Sequence, residues 1–180
     1  MLNDTPVCNF GWKAPDFELA TPDGSRHRMS DHIKNALLIA FICNHCPYVI
    51  RIAARLAEDA HVLKQNGVNV LAIMSNDYQN YPADAPKYML QFASRYGFNF
   101  PYLVDEDQSV ARSYDAVCTP DFFGLNANGE LQYRGRLDDA GMGDPNNRKP
   151  DLLDAMLQIA QTGVGPKEQV ASMGCSIKWR

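Results

Sequence analysis

Residues 36–48 read ALLIAFICNHCPY, and this stretch decides the fold. Ala36–Ile42 is continuously apolar rather than alternating, the pattern of a central strand buried on both faces. Pro47 then suits the opening turn of a helix. From Pro47 to about Gln65, Val49, Ile52, Ala53, Leu56, Ala60 and Leu63 recur at helical spacing, with Arg51, Arg55, Glu58 and Asp59 on the opposite face. Between strand and helix lie Cys43 and Cys46, a C-x-x-C pair around Asn44-His45.

Working outward, Asn66-Gly67 stops the helix and Val68–Met74 reads as a second apolar strand. Pro86 opens another helix, with Met89, Phe92, Ala93 and Tyr96 as its stripe and Gly97 as its stop. Tyr102–Val104 suggests a short strand and Gln108–Tyr114 a helical stretch. Phe122–Leu125 and Leu131–Arg134 flank Asn128-Gly129, a strong hairpin signal. Asp151–Gln161 is a last amphipathic helix. On the other side of the deciding stretch, Thr21-Pro22-Asp23-Gly24 separates short strands at Asp16–Ala20 and Arg26–Met29. The order predicts an α/β fold: a mixed sheet with central parallel strands and a C-terminal β-hairpin, flanked by helices. Residues 163–180 are expected to wrap the surface or move.

The chain has 180 residues, which predicts a single domain spanning 1–180, with a core of about 9–162 and a tail at 163–180. A hydrophobic fraction of 46% with 21% charged residues is ordinary globular composition. The net charge of −4 argues against nucleic acid or an anionic membrane as partner. No apolar run approaches a membrane span. The first eight residues lack a basic segment and an apolar segment, so a cytoplasmic setting is the default expectation unless the sequence is a trimmed mature form. In a reducing compartment cysteines are more often catalytic or metal-binding than structural.

Five cysteines are present: Cys8, Cys43, Cys46, Cys118 and Cys175. A structural zinc would need two further ligands at suitable spacing, and no second C-x-x-C or H-x-x-x-H follows. The pair instead sits where a helix N-terminus offers unpaired N–H groups and partial positive charge, which favour a thiolate, the nucleophilic form. Two-residue spacing lets the second sulfur release a mixed disulfide by intramolecular attack. A cationic His45 would lower the thiol pKa further and make the disulfide more oxidising. His27, His32 and His61 read as solvated residues, and Arg134, Arg136, Asp138 and Asp139 as a wetted edge.

The strand, C-x-x-C and helix, followed by Thr119-Pro120 before a hairpin, resemble the thioredoxin fold. More narrowly, Ala14-Pro15-Asp16-Phe17, Phe41–Tyr48, Cys118–Phe123 and Gly174–Trp179 are similar to the peroxiredoxin-like branch of the alkyl hydroperoxide reductase/thiol-specific antioxidant family. The resemblance implies a cis Pro120 facing the pair, with Thr119 and Pro120 shaping the substrate groove. Cys118, beside that loop, and Cys175, in the tail, are candidate third thiols. The peroxiredoxin pattern is incomplete: Cys43 stands where the family has Thr or Ser, and no arginine lies around Thr119–Phe122. Only Arg112 or Arg134 would be left to substitute through space.

These readings predict a thiol–disulfide oxidoreductase working through Cys43 and Cys46, with Cys43 the more exposed, attacking sulfur and Cys46 its resolver. No cofactor is required, since the cysteines carry the electrons. The partners are a disulfide or hydroperoxide substrate and a separate electron-donor reductase, with a homodimer left open. One alternative is a thiol peroxidase with antioxidant activity, in which Cys46 is oxidised and Cys43 resolves it. A second is a Cu(I) or soft-metal carrier using Cys43, Cys46, His45 or Cys118.

Overall fold

A computed structural model describes residues 1–180. The buried strand expected from the deciding stretch is β4 (Ala36–Phe41), every residue of which is inaccessible to solvent. It runs parallel to β5 (Val68–Met74), which runs parallel to β6 (Tyr102–Val104). The hairpin of β8 (Asp121–Asn126) and β9 (Leu131–Tyr133) adds to the other side, β8 lying antiparallel to β4. At the far edge, β2 (Glu18–Ala20) and β3 (Arg26–Arg28) complete a seven-stranded mixed sheet in the order β3-β2-β6-β5-β4-β8-β9. This is the thioredoxin-like architecture expected from the sequence.

Continuity of the apolar strands is explained by cores on both faces of the sheet. Leu38, Ala40 and Ile42 pack with Val49, Ala53 and Leu56 of α1 (Pro47–Gln65) and with Leu152 and Met156 of α4 (Asp151–Thr162). Leu37, Ile39 and Phe41 face the opposite layer, with Phe17, Tyr114 and Phe123. Tyr114 ends the short α3 (Ser109–Ser113). The remaining helix, α2 (Pro86–Tyr96), stops at Gly97, whose φ of 70° is the left-handed conformation that favours glycine. No helix is long and apolar enough to cross a membrane.

The structure differs from the sequence reading in two regions. First, the tail, which lies largely at the surface as expected, contributes a strand that the sequence reading did not contain. Met173–Ser176 forms β10, which pairs antiparallel with β1 (Leu2–Asp4) on one side and β7 (Cys118–Thr119) on the other. Neither Leu-Asn-Asp nor Met-Gly-Cys-Ser carries alternation or β-branched residues, so these strands exist through tertiary pairing and left no local signal. Gly174 is required at the crossing: a Cβ there would collide with the Thr119 carbonyl and the Pro120 nitrogen.

Second, four of the charges expected at the surface, Arg55, Asp59, Arg134 and Asp138, are buried in pairs. Arg55 donates from Nε to Asp138 at 2.7 Å, while Arg148 pairs with Asp59. Arg134 donates from Nη2 to Asp121 at 2.9 Å and stacks its guanidinium over Phe123. Asp138 and Asp121 are essentially inaccessible. The segment after β9 folds back over α1 and the sheet end, so partners far apart in sequence cover one another. His27 and His32 also differ from expectation: their rings are half-buried and face each other, with Nδ1 and Nε2 3.1 Å apart.

Candidate active site

Cys46 is the N-cap of α1, immediately before the first turn. Its carbonyl accepts the first helical bond from the Ile50 N–H. The Val49 amide, at the third helical position, closes no full cap bond but still favours charge on the Cys46 sulfur. Cys43 lies two residues beyond the end of β4. Both sulfurs face the Thr119-Pro120 loop, where the peptide bond is cis. Cys46 Sγ lies 3.1 Å from the Thr119 carbonyl oxygen, and Cys43 Sγ lies 3.3 Å from Thr119 Oγ1.

The pair is electrostatically lopsided. The neighbouring Cys43 thiol is the largest influence drawing the Cys46 pKa down to about 4. The Val49 N–H and the thiol and N–H of Cys175 act in the same direction, against the cost of burial. Cys43 moves the opposite way, held well above the usual thiol range by its hydrogen bond with Cys46, by burial and by the nearby Asp84 charge. From sequence Cys43 is the attacking sulfur, whereas the electrostatics of the pair favour charge on Cys46. Exposure does not separate the two sulfurs, since Cys43 is 1% and Cys46 0% exposed. The main cause is the neighbouring Cys43 thiol, and because the helix begins at Pro47 the Val49 amide adds to it at Cys46.

Asp84 was not picked out by the sequence reading. It lies outside the regular helices that carry strong patterns, in a single helical turn at Pro82–Asp84, and is fully buried. Its carboxylate accepts from the Asn44 N–H at 2.8 Å, from His45 Nδ1 at 2.7 Å and from Asn76 Nδ2 at 2.9 Å. Tyr102 donates to Asn44 Oδ1 at 3.0 Å, so the Asn44-His45 connection is pinned from two sides. The hydrogen bond to Asp84 raises the His45 pKa above its ordinary 6.5. The imidazolium charge is thus matched by Asp84 before it reaches sulfur. Tyr81 stacks on the His45 ring with an interplanar angle of 7°.

Replacing Asp84 with Asn keeps an acceptor for the Asn44 amide and removes the charge. The His45 ring should then titrate below its wild-type midpoint, at or under 6.5, in an NMR pH series. Because the folded pKa is the raised one, the ion pair's contribution to stability is complete below about pH 6.5 and lost as pH rises through the folded value. An unchanged His45 midpoint would remove Asp84 from this role.

Other candidates separate clearly. Cys118 is wholly buried, bonded to the Pro120 carbonyl at 3.5 Å, and its thiol is pushed far up by burial. Cys8 is pushed up to about 11, also by burial. Arg112 lies over the Trp179 ring and Arg134 is committed to Asp121, so neither supplies the arginine that peroxide activation would need. Donor atoms of Cys43, His45 and Asp84 fall within 4.8 Å of one another. That set of one sulfur, one imidazole and one hard carboxylate already engaged by three N–H donors does not match the soft ligands Cu(I) selects.

A dithiol at a strand-to-helix junction, facing a cis-proline loop across a mixed sheet, defines the thioredoxin-fold class of dithiol proteins. The chain belongs to the AhpC/TSA family, whose profile matches residues 10–134. It is 29% identical over 123 residues to the thiol-disulfide oxidoreductase ResA of Geobacillus kaustophilus, covering 68% of this chain and 66% of that protein. The chain thus spans just under two thirds of that relative's length. A solved structure of an uncharacterized conserved protein from Geobacillus kaustophilus is 38% identical, covers 100% of this chain and 97% of that one, and superposes with a TM-score of 0.93. A hypothetical protein from Sinorhizobium meliloti is 37% identical, with 98% of each chain covered and a TM-score of 0.91.

Proposed function

We propose that this chain is a thiol–disulfide oxidoreductase whose working couple is Cys43 and Cys46. The observation that carries the reading is the placement of both sulfurs at the N-terminus of α1 against the cis Thr119-Pro120 loop, where the surroundings favour charge on Cys46. The thiolate attacks one sulfur of a substrate disulfide and the other substrate sulfur leaves. Cys43 gives up its proton and attacks Cys46 Sγ, which releases the second substrate thiolate and leaves a Cys43–Cys46 disulfide. Two electrons have passed to the substrate. A separate reductase returns them, and the same steps run backwards oxidise a dithiol.

The low Cys46 pKa also sets a direction. Stabilising the thiolate stabilises the dithiol form at neutral pH, so the disulfide is the better oxidant. The couple should lie above thioredoxin's value of about −270 mV. Relatives bearing the name thiol-disulfide oxidoreductase support the reading. A thiol peroxidase reading is favoured by one observation: Cys46 is fully buried, which admits a small oxidant more readily than a protein.

Two assays on the reduced wild-type chain separate the readings. Turnover of a small-molecule disulfide such as oxidised glutathione, with slow or no peroxide loss, is the expected result. Rapid peroxide loss without disulfide turnover would replace the oxidoreductase reading with the peroxidase one.

A further inference from the structure

The buried state of the pair poses a problem that the C-terminal strand resolves. Cys43 and Cys46 are 1% and 0% exposed, so no macromolecular dithiol reaches either sulfur directly. Cys175 is half-buried, with part of its surface open. In the β10–β7 ladder Cys175 stands opposite Thr119, the residue that touches both sulfurs of the pair. Its thiol and backbone N–H both act on Cys46 Sγ.

We propose that Cys175 is a third redox thiol, the point at which the buried Cys43–Cys46 couple exchanges electrons with an external protein dithiol. The proposal deepens the oxidoreductase reading and rests on it.

The chemistry balances within the chain. Ionised Cys175 attacks Cys46 Sγ of the Cys43–Cys46 disulfide. The Cys46–Cys175 bond forms, the Cys43–Cys46 bond breaks, and Cys43 leaves as a thiolate that takes up the proton Cys175 lost. An external thiolate then attacks the accessible Cys175 Sγ. Cys46 departs, and as the least basic sulfur of the three it is the best leaving group. The second thiol of the external dithiol attacks the mixed disulfide and frees Cys175, so two electrons have entered from the dithiol.

Several contacts hold Cys175 in place for this exchange. The absence of a side chain at Gly174 lets the strand approach the Thr119 carbonyl. Ser172 Oγ donates to the Pro120 carbonyl at 3.0 Å, and the Lys178 N–H donates to Asn76 Oδ1 at 2.8 Å. Asn76 in turn donates to Asp84, which ties the tail to the loop between the cysteines. By contrast Cys118, the other candidate, faces the Pro120 carbonyl and has no surface.

The test uses the full chain. Cys43→Ser protein is incubated with oxidised glutathione, digested without reduction and mapped by mass spectrometry. A Cys46–Cys175 peptide is expected, and it should vanish in the Cys43→Ser/Cys175→Ser double variant. In parallel, wild type and Cys175→Ser are oxidised and then reduced by a thioredoxin with its reductase, or by a small phosphine. Cys175→Ser should still form the Cys43–Cys46 disulfide and lose far less rate with the phosphine than with the protein dithiol. Its reduction by the protein dithiol should slow by at least about tenfold, since the accessible sulfur has gone. Cys175→Ala should behave the same way. A missing Cys46–Cys175 peptide, or Cys175→Ser reduced by thioredoxin at the wild-type rate, overturns the proposal. Failure of wild type to form any Cys43–Cys46 disulfide would instead overturn the oxidoreductase reading beneath it.

Discussion

Cys46→Ser should lower disulfide turnover by a factor on the order of 10³ or more, the scale of losing a catalytic nucleophile. A serine hydroxyl does not ionise near neutrality and so cannot use the donors that converge on this position. Those donors are the Cys43 thiol, the Val49 amide and both donor groups of Cys175. Cys43→Ser should behave differently. Its hydroxyl can still donate to Cys46, so the first attack survives, and the mixed disulfide on Cys46 passes to Cys175 or, where Cys175 is replaced as well, accumulates. Turnover through the Cys43–Cys46 couple is lost in both variants, while trapping of a disulfide substrate on Cys46, read by intact mass, is expected in Cys43→Ser/Cys175→Ser and not in Cys46→Ser. Trapping on Cys43 in the Cys46→Ser variant would restore the opposite assignment of roles.

The second large effect is on stability. Arg134→Met should cost about 3–5 kcal/mol of unfolding free energy, the usual penalty for stranding one member of a buried ion pair. Asp121 is inaccessible, and burial already raises its pKa. Without Arg134 only the Val117 N–H, at 3.2 Å, still donates to its carboxylate. A buried carboxyl with a raised folded pKa opposes folding above that pKa and ceases to do so once protonated. The deficit measured by urea unfolding should therefore shrink as pH falls. Asp121 follows the cis-proline directly, so the loop facing both sulfurs should loosen with it. A variant as stable as wild type at neutral pH would show that the pair is dispensable.

How much could be read in advance depended on where each structure drew its stabilisation. The frame was legible because β4, α1 and β5 are written locally: an unbroken apolar run, a helical stripe, a second run. The hairpin showed through Asn128-Gly129, and Pro86 and Gly97 marked both ends of α2. The cysteine pair was visible for the same reason, since C-x-x-C at a strand-to-helix junction is contiguous. Roles within the pair were not visible. They turn on a helix starting at Pro47, on a thiol-to-thiol bond and on Cys175, which is more than a hundred residues away in sequence. Asp84 was equally hidden, because a single aspartate in a short turn looks solvated until Asn44, His45 and Asn76 converge on it. Arg55 and Arg134 were read as surface for a related reason: their partners, Asp138 and Asp121, come from distant elements. Strand β10 carries no pattern of its own and forms only because β1 and β7 are there to receive it.

The claim beneath all of this is that Cys46 is ionised in the reduced chain. Thiolate absorbance in the ultraviolet, followed as reduced protein is taken from neutral pH downward, tests it directly. A single-thiolate signal that persists at neutrality, falls with a midpoint near 4 and is absent from Cys46→Ser is the expected result. A signal that appears only in the alkaline range, or one retained in Cys46→Ser, would contradict the account.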